Sequence, residues 1–280
     1  PAYLCRRAGI GIAAGLIALI WTTQVAFAQT TPQKSAQNAN LRIATYNPEF
    51  KRKGPGLLLR DILARKDAQV IAAGNVIAHI APDILLLTSF DYDYDLHALR
   101  AFGDHLRTLG LDYPYQFALP PNIGLATGLD LDGDGWLGAA ADAQGFGDFY
   151  GQGAMAVLSR YPINAEQSTD FSALLWRDLP GSKIPFVDGA PFPSADAHAI
   201  QRLSSNGHWD VAVQLPDGVT LHMLGSHAGT PAFGGSEGRN IARNFDEVRL
   251  WQLYIDGQLD HPPPAAPFVI LGDANQDPHD

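Results

Sequence analysis

Phe268–Pro278 reads FVILGDANQDP, a short apolar run that delivers Gly272, Asp273 and Asn275 into a turn. A run of this length is too short for a helix and suits a strand. Side chains alternate across a strand, so Asp273 and Asn275 can point the same way. Gly-Asp after a strand is commonly a turn and nothing more. The stretch therefore takes its meaning from the other strand ends.

Those ends are found by periodicity. LRIATYN, Leu41–Asn47, alternates and opens the folded region as a strand that finishes at Asn47. GLLLRDILARK and AQVIAAGNVIAHI have helical spacing, and Ala81-Pro82 closes the second. DILLLTSF suits a strand buried on both faces. A helix is expected over Asp95–Leu109, and AMAVLSRYPI resumes strand character. Leu119–Gly151 and Asp178–Ser205 show no period and read as loops, the first long enough to expect a function. HWDVAVQLP and VTLHMLGSH form two strands around an Asp217-Gly218 turn, the second ending at Ser226-His227. Gly238–Asp256 reads as a helix whose apolar side is Ile241, Phe245, Val248, Trp251, Leu253, Tyr254 and Ile255. Its polar residues Arg239, Asn240, Arg243, Asn244 and Glu247 are expected to form a solvated face with Arg243 pairing Glu247, or else to turn the arginines toward a phosphate.

The chain has 280 residues and a formal net charge of −10. Arg6 and Arg7 precede an uncharged apolar run ending in Ala26-Phe27-Ala28, which describes a secretory signal peptide. The alternative is an uncleaved anchor, because the run approaches spanning length. Cleavage after Ala28 removes two positive charges, leaving 252 residues at −12, and removes Cys5, the one cysteine. An exported protein, periplasmic or extracellular, that lacks cysteine must rely on its core. Expected are a signal peptide over 1–28, a flexible linker over 29–40 and one α/β domain over 41–280. A monomer without stable membrane insertion after cleavage is expected. The acidic surface disfavours tight nonspecific binding of nucleic acid without divalent cations.

LRIATYN, PDILLLTSF, GAMAVLSRYPI, LHMLGSHA and VILGDANQDP together resemble, in order and approximate spacing, the endonuclease/exonuclease/phosphatase superfamily. The resemblance covers about residues 41–278. It implies a four-layer α/β sandwich in which two mixed sheets pack face to face with helices outside. It also implies a phosphoesterase site for a phosphate-ester substrate, nucleic acid included, with Mg²⁺ or Mn²⁺. In that site Asp273 would orient or deprotonate the attacking water, and Asn275 would fix that water or a phosphate oxygen. His227 would hydrogen-bond a phosphate oxygen, and Asn47 would sit beside the metal. Where the family has a metal-binding Glu after its second strand, this chain has Ser89, a poor ligand for a hard dication. Asp91, two residues on, is the replacement ligand, or with Asp93 part of a solvated loop. The family's later Ser-Asp-His segment has no counterpart before Asp280, and the chain opens on Pro1. A C-terminally incomplete and, on its own, inactive fragment is therefore expected.

GLDLDGDGWLG places Asp130, Asp132 and Asp134 at alternating positions before Gly135, like the opening of a calcium loop. Ala141 stands where an EF-hand needs Glu. A simpler Ca²⁺ loop or a solvated turn are the two readings. The rival to the enzyme is a non-catalytic calcium-binding secreted protein with the same sandwich.

Overall fold

The computed structural model describes residues 40–264 and 267–277. The leader expected over 1–28, with Cys5, lies outside the described residues, as does the linker up to residue 39. Among the described residues no helix is long and apolar enough to cross a membrane.

Strand β1 (Ile43–Tyr46) leads to helices α1 (Leu57–Ala64) and α2 (Ala68–Ile80), then to β2 (Ile84–Phe90). Helix α3 (His97–Thr108) precedes β3 (Tyr115–Phe117), β4 (Ala154–Ser159) and β5 (Ile163–Asp170). A small hairpin, β6 (Phe186–Val187) and β7 (Ala190–Pro191), comes before helix α4 (Ala195–Ile200). β8 (His208–Gln214), β9 (Thr220–His227), α5 (Arg239–Ile255) and β10 (Phe268–Asp273) complete the order.

Two four-stranded sheets result, ordered β1-β2-β4-β3 and β10-β9-β8-β5. Each has one parallel pair at an edge, β1 with β2 and β10 with β9, followed by two antiparallel pairings. Alternation along β2 explains the layers. Ile84 and Leu86 face the second sheet and pack with Trp209, Val211 and Met223. Leu85 and Leu87 face the other way, onto Leu58, Ile77, Phe102 and Leu106 of α1, α2 and α3. The second sheet sends Leu224 toward Leu250, Trp251 and Tyr254 of α5. Helices, sheet, sheet and helix make the four layers, and β2 is buried at all seven positions. Each such Leu or Ile contributes about 1.5–3 kcal/mol by leaving water.

Two elements depart from the sequence reading. The segment expected as a plain loop over Asp178–Ser205 holds the β6–β7 hairpin and α4. Asp188 and Gly189, both at positive φ, make its two-residue turn, and the Ser194 side chain caps α4 by accepting from Ala197 N–H. The larger difference is the first half of α5, since Trp251, Leu253 and Tyr254 of its expected apolar side do face inward. Arg239, Arg243, Asn244 and Glu247 are buried, while Ile241 and Phe245 are 61% and 47% exposed. The reason lies in the loops beneath the helix. Irregular backbone has no ladder to satisfy its polar groups, and buried ones must find partners. Arg243 supplies them, donating to the carbonyls of Leu203, Gln144, Arg202 and Ser204. Arg243 and Glu247 attract each other electrostatically, yet both spend their hydrogen bonds on backbone.

Candidate active site

The parallel ladder of β9 and β10 ends on the pair His227 and Asp273. His227 Nε2 lies 3.9 Å from Asp273 Oδ2. Gly272 makes this approach feasible. Its φ is 137°, and a Cβ there would overlap the carbonyl oxygen of Ser226. Beyond the ladder, Ala228 N–H donates to Asp273 O (2.9 Å) and Asn275 Nδ2 donates to Ala228 O (2.7 Å). Asp273 Oδ1 also accepts from Asn275 N–H (2.9 Å), the local turn that an Asp-x-Asn sequence favours. Asp273 thus shapes its own turn through Oδ1 while Oδ2 faces the histidine.

β1 brings the fourth residue. Gly272 N–H donates to Thr45 Oγ1 (3.1 Å), which ties the ends of β10 and β1 together just before Asp273 and Asn47. Asn47 Oδ1 accepts from Glu49 N–H (3.0 Å), and Glu49 sits at φ 54°. Burial holds the His227 imidazole below its ordinary pKa, against the opposing pull of Asp273 and Glu49. The ring is therefore neutral at pH 7. Its Nδ1 is buried with no hydrogen-bond partner among the described residues, which leaves Nε2, on the Asp273 side, as the useful place for the proton. Glu49 is a residue the sequence reading passed over. Its signal was available, since it follows Asn47 by two positions.

Asp91 is neither solvated nor free. It is 4% exposed, and its two oxygens accept from Gly153 N–H (2.8 Å) and Arg52 N–H (2.9 Å). Burial pushes its pKa up to about 6 despite those two amides. It pins the segment after Asn47 to the start of β4, a structural task the sequence could not show. Asp93 caps α3 by accepting from His97 and Ala98 N–H groups. Ser89 is buried in a bulge of β2 at φ 50°, a left-handed conformation that costs a non-glycine residue about 1–3 kcal/mol.

Asp130, Asp132 and Asp134 form a separate cluster. One oxygen from each lies within 4.8 Å of the others. Asp130 accepts from Gly133 and Gly135 N–H groups (2.5 and 2.9 Å), and Asp134 from Trp136 N–H (2.8 Å). Burial works against the Asp130 carboxylate, but the amides of Gly135 and Gly133 outweigh it and lower its pKa. For Asp132 burial prevails, aided by repulsion from Asp134 and Asp142, and the pKa rises. Asp142, the residue after Ala141, is buried and accepts from Leu131 and Ala139 N–H groups (3.0 Å each), so it closes the loop.

A sequence profile of the Endonuclease/Exonuclease/phosphatase family matches residues 44–280. The chain belongs to that family. The two mixed sheets with outer helices are its sandwich fold. The family consists of phosphoester hydrolases that in general depend on a metal ion. No curated protein matches the chain in sequence. Among solved structures it is similar to sphingomyelinase C from Streptomyces griseocarneus, with 20% identity over 86% of this chain and 66% of that one (TM-score 0.43). It is also similar to an endonuclease/exonuclease/phosphatase from Beutenbergia cavernae DSM 12333, with 18% identity over 84% and 47% (TM-score 0.46). A beta toxin variant from Staphylococcus aureus with bound magnesium ions shows 14% identity over 86% and 66% (TM-score 0.43). The chain therefore spans between 47% and 66% of the lengths of these three proteins.

Proposed function

We propose that this protein hydrolyses phosphodiesters with Mg²⁺ or Mn²⁺ at the cleft between the ends of β1, β9 and β10. One observation carries the reading: β9 and β10 end on His227 and Asp273, 46 positions apart, with Nε2 3.9 Å from Oδ2, while Asn275 bonds the loop after His227 and the β1 end lies alongside. Turn chemistry explains Asp273 and Asn275 one at a time. It does not explain why they meet a half-buried neutral histidine.

The cleft has the donors a hard cation takes. Asn47 offers an amide oxygen and Glu49 a carboxylate whose charge is felt at His227. These two residues would hold the ion, which when bound neutralises charge on the phosphate oxygens. The remaining tasks fall to the side chains. Asp273 Oδ2 orients a water and takes its proton as the water attacks phosphorus, while the P–O bond to the leaving alkoxide breaks and that alkoxide takes up a proton from solvent. His227, neutral with its proton on Nε2, donates a hydrogen bond to a non-bridging oxygen, where charge develops. Asn275 holds the turn that aims Asp273. The substrate class is a phosphate diester, nucleic acid included, handled by an exported monomer. The loop of Asp130, Asp132 and Asp134 binds Ca²⁺ as a structural ion, since its donors are all oxygen and already converge.

Ser89 favours the rival, a calcium-binding protein without catalysis, because no anionic side chain stands at that bulge. Hydrolysis of a chromogenic phosphodiester by the full-length protein decides between them. Turnover that needs Mg²⁺ or Mn²⁺ and disappears with chelator supports the enzyme. Equal rates with and without protein would leave the rival.

A further inference from the structure

The buried polar stripe of α5 does more than fill the space beneath a helix. Asn244 is fully buried. Its Nδ2 donates to Gly229 O (2.7 Å) and to Ala274 O (2.8 Å), and its Oδ1 accepts from Gln276 Nε2 (2.6 Å). Gly229 lies two residues beyond His227, and Ala274 stands between Asp273 and Asn275. A single carboxamide therefore spans the two loops that carry the cleft. Its orientation is determined, because a flipped amide would set its oxygen against two carbonyls. One turn further on, Glu247 accepts from Gly229 N–H (2.7 Å) and Ser205 N–H (2.5 Å). Both polar groups of Gly229 are thus held by α5. A Cβ on Gly229 would come within 2.6 Å of Ser205 Oγ, so the loop is also packed closely there.

We propose that Asn244 and Glu247 are positioning residues, which set the spacing between the His227 loop and the Asp273–Asn275 loop from behind the cleft. The β9–β10 ladder stops at His227 and Asp273, and past that point parallel strands have no ladder to keep them together. Two direct bonds carry the pairing one residue further, at Ala228. Asn244 and Glu247 supply the next constraint. A displacement near 1 Å at a reacting group costs about 10²-fold in rate. Removing the amide leaves two carbonyls without their donor and frees the loops to shift by that order. This role rests on the phosphodiesterase reading of the cleft, and the test separates the two.

The full-length protein is compared with Asn244→Ala, Asn244→Asp and Tyr254→Phe. The aspartate keeps the shape of Asn244 but cannot donate to the two carbonyls. Tyr254, near the other end of α5, donates to Asp210 (2.6 Å) and touches neither loop, so its loss weakens the fold alone. Asn244→Ala and Asn244→Asp should each lower kcat about 100-fold with KM changed by less than about threefold. Tyr254→Phe should lower Tm and leave kcat in place. Amide hydrogen exchange gives a readout that needs no activity. Ala228 and Gly229 should exchange faster in Asn244→Ala, while His208–Gln214 keep their protection. If Asn244→Ala does not fold, Gln276→Ala, which removes an exposed side chain's bond to Asn244 Oδ1, should give about a tenfold loss. Unchanged kcat and unchanged exchange in folded Asn244 variants overturn the positioning role. So does a kcat loss that Tyr254→Phe reproduces. A wild-type protein without turnover but with the expected exchange overturns the proposed function and supports the positioning role.

Discussion

The cleft and the acidic loop are both clusters of polar side chains, and they are built in opposite ways. Asp130, Asp132 and Asp134 fall within five consecutive residues, and the amides that satisfy Asp130 and Asp134 come from the same turn. Asn47, His227, Asp273 and Asn275 come from the ends of three strands, which bonds from Asn275 to Ala228 and from Gly272 to Thr45 tie together across the chain. A local cluster can arise from turn preferences alone. A cluster that needs three strand ends and a buried polar helix face has no local cause. The difference teaches where to look for chemistry: in the second kind.

The sharpest way to break the contrast is Asp273→Ala against the double variant Asp132→Ala/Asp134→Ala. Loss of general-base help at the water should lower kcat about 10²–10⁴-fold in Asp273→Ala. The Asp273 side chain is about one-third exposed and its loss removes one turn bond, from Asn275 N–H, so Tm should change little. The double variant, assayed at saturating Mg²⁺, should keep its turnover. A double variant as inactive as Asp273→Ala, with its fold intact, would join the loop to the active site.

The cleft's support also differs from the loop in its response to acid. His208 is fully buried at the foot of α5, where Nε2–H donates to Glu247 O (2.9 Å) and Nδ1 accepts from the Ser204 hydroxyl (2.7 Å). Burial lowers its pKa to about 4. The unfolded chain therefore takes up this proton first, near 6.5, so stability is full above 6.5 and is lost as pH falls toward 4. The shift corresponds to about 3 kcal/mol. Asp91 acts in the other sense: its raised pKa, about 6, makes the folded state the better proton acceptor between 3.8 and 6. Urea unfolding at several pH values should show His208→Gln less stable at pH 7.5 but with a smaller loss toward pH 4 than wild type. Parallel curves would show that His208 is not the group responsible.

How much of this was legible in the sequence follows from how local each signal is. The short continuous apolar run in DILLLTSF located β2 and its burial on both faces, because the pattern and its cause lie in one strand. The periodicity of α5 located the helix and the inward Trp251, Leu253 and Tyr254, but not that the polar stripe of its first half faces inward. That choice was made by loop carbonyls 39–99 positions away, which Arg243 satisfies. Asp91 was equally opaque, since the amides that hold it belong to Gly153 and Arg52. The β6–β7 turn was different: Asp188-Gly189 carried the same hairpin signal as Asp217-Gly218, but the flanking runs of two residues were too short to show alternation.

Calcium should distinguish the two clusters by stability. An ion that binds only the folded loop adds about 2.7 kcal/mol at a hundred times its Kd. Thermal unfolding of wild type and Asp132→Ala/Asp134→Ala, each with Ca²⁺ and with chelator, measures it. The wild type should gain Tm with Ca²⁺ and the double variant should not. Equal gains would reduce the loop to a solvated turn.

The smallest expected effect concerns Glu49, and it bears on the cleft's own metal. Its backbone is left-handed at φ 54°, a conformation that persists only where the surroundings impose it. The surroundings here are Asn47, whose Oδ1 takes the Glu49 N–H, and Lys51, whose Nζ lies 3.3 Å from the Glu49 carboxylate. That pair is exposed and contributes little to stability. A strained backbone holding a carboxylate within electrostatic reach of His227 is accounted for if the carboxylate helps to hold a cation. Glu49→Gln keeps the size and removes the charge. The Mg²⁺ concentration for half-maximal activity should rise about tenfold, with kcat at saturating Mg²⁺ reduced by less than about threefold. Tm should stay the same, because only an exposed ion pair is lost. A Glu49→Gln enzyme with an unchanged Mg²⁺ requirement would take Glu49 out of the ion's shell and leave Asn47 as the oxygen donor to test.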